Sequence, residues 1–187
     1  MPTWFDDHQL AVLAAAMDRV IPDDGVSPGA GGCGAADYVD VLLGAFSFDP
    51  PRIFAGGPFS GRAGGEAGFE EWLELGPMEE LAWRIRIEGT RGIAEREFNG
   101  AVVGLQEQYA AGLPALGDDF AGLDADEQDR RLAEIPMFRA LLFGHACEAH
   151  YGDPVYGGNR GGAAWSAIGF EGDVQPRGYT DDEVQLP

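Results

Sequence analysis

The sequence predicts an all-α single domain with long irregular connections, and three observations lead there. Apolar residues recur at three- and four-residue spacing in successive segments, each bounded by a capping residue, a proline or a glycine. No segment alternates with period two for long enough to read as a strand, and no internal repeat occurs. The 29 glycines and 12 prolines place much of the chain in non-helical connections.

A chain of 187 residues with 45% hydrophobic and 11% aromatic residues is long and apolar enough for one domain with a real core. The net charge is −20, and all 12 basic residues are arginines. That balance excludes a nucleic-acid partner, whose phosphates need a basic face. It equally argues against an anionic membrane surface and leaves solubility and a basic protein partner as the reading. No run of about 18 apolar residues occurs, so direct membrane insertion is not expected. The start, MPTWFDDHQL, has no basic region leading into an apolar run and no twin arginine. A cytoplasmic protein is therefore expected, or a periplasmic one if a signal has been removed. Cys33 and Cys147 carry no metal-site spacing; free thiols are expected, with Cys147 half-buried on a helix.

The first helix starts near Thr3, with Asp6 three residues on in a capping-box arrangement. Leu10, Leu13, Met17, Val20 and Ile21 make its stripe, and Pro22 stops it. Residues 25–34 read as a loop. A second helix follows from about Ala35, burying Tyr38, Val39, Leu42, Leu43 and Phe46, with Asp37 suited to its N-terminal dipole. Residues 48–65 mix prolines, glycines and phenylalanines. They read as an irregular excursion that packs on the domain or a partner. A short helix is expected from Phe69 to Leu75. Pro77 then opens a helix with Met78, Leu81, Ala82 and Ile85 as its stripe.

A longer helix is expected from Ile93 to Ala111, with Phe98, Val102, Leu105 and Tyr109 on one face and Gly112 as its C-cap. Asp124 and Glu127 open a short helix carrying Leu132 and Ile135. Pro136 begins the last helix, with Phe138, Leu141, Leu142 and Cys147 inward. It runs to about His150, and Gly152 closes it. Residues 151–187 read as an extended C-terminal arm.

The stretch from His145 to Gly172 is the densest in aromatics, glycines and paired polar residues. Tyr151, Tyr156, Trp165 and Phe170 among glycines do not describe a flexible linker, because large apolar side chains need somewhere to be buried. His145 and Glu148 stand three apart on a helix and can point one way; Asp153 follows in the loop. That suits a metal pair, yet a metal needs further ligands. The plainer reading has His145 and Glu148 hydrogen-bonding loop backbone at the helix-to-tail junction. His145, two residues from Cys147, falls on another helix face; His150, three residues on, is a weak signal for a thiol with a base, and a packed thiol is the plainer reading. Gly157-Gly158-Asn159 follows no strand and lacks a dinucleotide fingerprint; it reads as close backbone approach to another surface. The acid pairs Asp6-Asp7, Asp23-Asp24 and Asp118-Asp119 sit at helix starts and turns, where they cap. No catalytic residue and no metal site emerges from the pattern, and the exposed arms point to a large protein interface.

Three segments in order carry a family resemblance: LAAAMDRVIPDDG, the Asp124 helix leading into MFRALLFGH, and YGDPVYGGNRGGAAWSAIGFEG. Together they resemble the gluconate 2-dehydrogenase subunit 3 family, small subunits of flavin-dependent sugar and alcohol dehydrogenases. The last segment is the most specific of the three, and the region from Pro50 to Gly117 is longer than the pattern.

The resemblance implies a non-catalytic accessory subunit that stabilises a large FAD-binding subunit of the glucose–methanol–choline oxidoreductase type. FAD is then expected in the partner and no cofactor in this chain, with a higher-order hetero-oligomer as an open assembly. Interface candidates are Tyr151, Asp153, Pro154, Tyr156, Gly157, Gly158, Asn159, Trp165 and Phe170, with His145 and Glu148 at the junction. Two rival readings are a self-sufficient metal-dependent enzyme using His145, Glu148 and Asp153, and a maturation chaperone that dissociates after cofactor loading.

Overall fold

A computed structural model describes residues 4–56 and 73–170. Among these residues the fold is all-α, with seven α-helices and one small ribbon. Helix α1, Asp7–Val20, is capped by Asp6 rather than Thr3, which lies outside the described residues. The Asp6 carboxylate accepts the Gln9 amide at 2.8 Å, and the Gln9 side chain accepts the Asp6 amide at 3.0 Å. The approach to α1 is held from elsewhere: buried Asp40 accepts the backbone N–H groups of Trp4 and Phe5 at 2.7 and 2.8 Å. Helix α1 ends just before Pro22, as proline requires.

Helix α2, Ala35–Leu43, follows the glycine loop and packs on α1. Gly34 enters it at φ +89°, where a side chain would also strike Gly157 O and Arg160. The strands Phe54–Gly56 (β1) and Leu73–Glu74 (β2) pair antiparallel, Phe54 opposite Glu74 and Gly56 opposite Leu73. The short helix expected over 69–75 is thereby corrected at residues 73–74, which pair with a strand, and its residues 69–72 lie outside the described residues. Two- and three-residue strands are too short to show a period in sequence. Residues 57–65 of the expected excursion lie outside the described residues.

Helix α3, Pro77–Glu88, has proline in its first turn as expected, but a different inward face. Met78 and Ala82 are exposed; Trp83 packs on the core and Ile87 is fully buried. The large indole, with an aliphatic residue one turn on, outweighs the stripe of smaller residues.

The helix expected over Ile93–Ala111 is instead turns from 91 to 104 followed by α4, Leu105–Ala115. Gly100 at φ +98° breaks the segment. Thr90 N–H donates to Val102 O at 3.0 Å, and Val102 N–H to the Thr90 hydroxyl at 3.1 Å, closing the loop. Gly112 is not a C-cap. It lies inside α4, where a Cβ would sit 2.2 Å from the Phe138 ring. The glycine lets two helices touch, which outweighs its helix cost of about 1 kcal/mol.

Helices α5, Ala125–Glu134, and α6, Pro136–Tyr151, match the sequence reading, with Asp124 capping α5 and Gly152 ending α6. Helix α6 packs against α1, α2, α4 and α5. The core is one cluster that includes Leu13, Val39, Ile87, Tyr109, Phe120 and Leu142. Each such aliphatic side chain contributes about 1.5–3 kcal/mol through burial. No helix among the described residues is long and apolar enough to cross a membrane.

Residues 151–170 do not extend away from the domain. They form a tight turn at Pro154–Tyr156, a second at Arg160–Gly162 and a last helix α7, Ala163–Ala167, which packs on α6. Residues 171–187 lie outside the described residues.

Candidate functional site

The C-terminal motif is folded by its own polar groups. Asp153 accepts the Val155 amide at 2.9 Å and fixes the turn after α6. Asn159 sits at φ +44° and is 0% exposed. Its amide nitrogen donates to Gly152 O and its oxygen accepts the Ala164 amide, both at 3.0 Å. This one residue, at a φ that asparagine tolerates better than most, closes the loop and starts α7. Trp165 is buried, donating from its indole to Tyr151 O at 2.7 Å and meeting the Phe170 ring edge-on. Arg160 pairs with Asp37 of α2, and its amide donates to Cys33 O at 3.0 Å.

The glycines serve the same closure. A Cβ on Gly158 would sit 2.4 Å from Ala149 O, and Gly157, at φ +101°, passes within van der Waals distance of the Tyr38 backbone. Close approach was expected toward another surface; these glycines approach α6 and α2 of their own chain. Of the interface candidates, Asn159, Gly158 and Trp165 are buried within the fold, Tyr151, Tyr156 and Phe170 are exposed, and Asp153, Pro154 and Gly157 are intermediate.

Beside this loop lies a cavity of about 420 Å3 between α2, α3, the end of α6 and the turn at residues 152–158. Val41, Leu42, Ile53, Trp83, Ala149 and Tyr156 form apolar wall, and Tyr38, Arg52, Arg86, Glu148 and Asp153 bring polar groups. The Tyr38 hydroxyl donates to Glu148 Oε2 at 2.8 Å, and Arg86 lies 3.7 Å from Glu148 Oε1. Burial, and the hydrogen bond to Glu148, push the Tyr38 phenol upward, so it stays a neutral donor. The Arg86 guanidinium lies 5.0 Å over the Trp83 ring, and Arg52 lies 4.0 Å over Phe48.

His145 and Glu148 part company. His145 is buried, with Nδ1 hydrogen-bonded to the Tyr109 hydroxyl at 2.8 Å and the two rings stacked. Neither His145 nor Glu148 takes the expected junction role toward loop backbone: both tie α6 to another helix through a tyrosine. Burial lowers the His145 pKa. His150 faces the loop after α1, with Nε2 3.0 Å from the Ser27 hydroxyl, and burial lowers its pKa too. Among the described residues no three His, Cys, Asp or Glu side chains are placed to hold a metal ion. Cys33 and Cys147 are free thiols, both pushed up by burial and so held from the reactive thiolate.

Sequence reasoning missed the far side of the cavity. Tyr38 was read only as a buried helix position, and Trp83, Arg86 and Arg52 carried no signal. Their meeting with Glu148 spans 110 residues in the Tyr38 case, and no local pattern encodes such a contact.

Comparison with known proteins gives one match. A family model described as gluconate 2-dehydrogenase subunit 3 matches residues 7–172. No curated protein and no solved structure matches the chain.

Proposed function

Since the chain belongs to the gluconate 2-dehydrogenase subunit 3 family, we propose that it is the non-catalytic small subunit of a heteromeric FAD-dependent sugar or alcohol dehydrogenase. Its task is to bind and stabilise a large flavoprotein subunit, which carries the FAD and the hydride chemistry. The family is an accessory subunit of a dehydrogenase complex; the FAD, the partner's oxidoreductase type and its stabilisation are the proposal.

The observation that supports this reading is the division of labour within the family motif. Its buried members lock the motif onto α2 and α6, while Tyr151, Tyr156 and Phe170 stay exposed. Aromatics held on a rigid support are what an interface anchor requires, because little side-chain freedom is lost on docking. Stabilisation then follows by mass action, about 2.7 kcal/mol at a concentration about 100 times Kd.

The test is co-expression of the tagged chain with the large flavoprotein of its host. A complex that co-purifies with FAD, and that Tyr156→Ser with Phe170→Ser weakens while the isolated double variant stays folded, is expected. A flavoprotein equally stable and equally loaded without this chain overturns the reading. A chain needed for loading but missing from the mature complex on size exclusion replaces it with the chaperone reading.

A further inference from the structure

We propose that the cavity between α2, α3 and the end of α6 is a binding site for a carboxylate carried on a compact apolar stem. Arginine usage carries the argument. With 12 basic residues against 32 acids, this chain has few cations and commits most of them internally. Among the described arginines, only Arg52, Arg86 and Arg139 donate no side-chain hydrogen bond within the protein. Arg52 and Arg86 both border this one cavity. Each is laid on an aromatic ring, so its planar fork is oriented before any ligand arrives.

The acids of the site do not point to a cation. Glu148 already accepts from Tyr38 on one oxygen and faces Arg86 with the other. Asp153 accepts the Val155 amide. Arg86 is already in an ion pair with Glu148, which leaves Arg52 as the cation of the cavity with no ion pair among the described residues, and a guanidinium with open N–H groups matches a carboxylate in charge and in fork geometry. The volume of about 420 Å3 falls within the range of about 300–1,000 Å3 common to small-ligand sites. The walls from Leu42, Ile53, Trp83 and Tyr156 suit a hydrocarbon or aromatic stem rather than a polyhydroxyl one. Among the described residues, the cavity is open to a group presented on another protein. The carboxylate therefore comes either from a free acid or from an acidic side chain or C-terminus of the large subunit. The second source rests on the subunit reading above; the first does not.

The test uses the full chain and three matched probes: 3-phenylpropionate, its primary amide and 3-phenylpropylamine. Binding is followed by two-dimensional NMR and by tryptophan fluorescence. The acid is expected to bind and to shift the Trp83 indole, with the amide and the amine at least about tenfold weaker, the loss of one charge-assisted pair. Arg52→Gln is expected to weaken the acid by about tenfold. It removes no ion pair among the described residues but gives up the stacking on Phe48, so a fall in affinity at an unchanged thermal midpoint reports the ligand contact. Equal binding of the amide or amine, no binding of the acid at millimolar concentration, or an Arg52→Gln variant that binds unchanged overturns the proposal.

The assembled complex separates the sources. A site that no longer takes the acid, or an acid that displaces the large subunit, assigns the carboxylate to the partner. An acid that binds the intact complex assigns it to a free ligand. A chain that binds the acid but no flavoprotein removes the subunit reading and leaves the site standing.

Discussion

Two glycine-bearing connections of this chain look alike in sequence and differ in structure. The turn at residues 152–159 is built inward: Asn159 is 0% exposed, and Gly158 lies against the backbone of α6. The α3–α4 connection, residues 89–104, is built outward. Phe98 is 64% and Val103 62% exposed, and a Cβ on Gly92 or Gly100 would meet nothing within 4 Å. Only the base of the second loop is tight, where a Cβ on Gly104 would lie 2.2 Å from Gly89 N. Glycine density therefore marks neither flexibility nor function by itself. What matters is whether the missing side chain leaves room for another backbone or merely permits a turn.

The sharpest way to break this contrast is Gly158→Ala. The added methyl would meet Ala149 O, and helix backbone cannot yield as a side-chain tip can. We expect a loss of about 3 kcal/mol, at the upper end for overpacking, read as a lower denaturation midpoint at unchanged m. A loss below about 1 kcal/mol would mean that the motif is not packed against α6 as described.

How much of this was legible in the sequence follows the same division. Helices α1, α5 and α6 were readable because their ends carry local chemistry: Asp124 as a cap, Pro22 and Pro136 as stop and start, Gly152 as terminator, with the cap of α1 falling on Asp6 instead of the expected Thr3. The 93–104 segment misled because Phe98, Val102 and Leu105 happen to fall at helical spacing, while the glycine geometry that breaks the helix is a property of the folded loop. Gly112 misled for the opposite reason: it resembles a cap, and its partner Phe138 lies on another helix. The motif aromatics were found, but their sorting into buried Trp165 and exposed Tyr156 depends on contacts with residues far away in sequence. The cavity was illegible for that reason as well.

Acid should separate the two connections next. His145 and His150 lie on α6 beside the inward turn, and the other histidine, His8, is on α1. Burial lowers both α6 pKa values, so the folded protein holds fewer protons than the unfolded chain below the ordinary histidine pKa of about 6.5. Stability is therefore full above about pH 6.5 and falls as pH drops toward the lowered folded values, by up to about 1.4 kcal/mol per pH unit for His145 alone. The lowered carboxylates contribute only further down: Glu127, held near 2 by Arg130 and Arg131, begins to matter below its ordinary value of about 4.5. Hydrogen exchange should rise first in α6 and residues 152–165, and less in 89–104. His145→Gln, which keeps a polar partner for Tyr109, should flatten the slope. A pH-independent midpoint between about pH 6.5 and 5 would show that neither histidine is held neutral by burial.

The smallest expected effect is the counterpart in the outward loop. Gly100 has φ +98° and open space around its Cα, so Gly100→Ala meets no neighbour. Its cost is the local strain of an L-residue at positive φ, about 1 kcal/mol, offset in part by the lower entropy of the unfolded alanine. The amide that donates to Glu97 O at 2.9 Å is kept, and so is the closed base between Thr90 and Val102. The midpoint should therefore move by about a third of the Gly158→Ala shift, with the 89–104 amides as the only ones to exchange faster. Equal costs at the two sites would mean that both glycines serve only to relieve backbone strain, and the contact of Gly158 with α6 would lose its role in holding the motif.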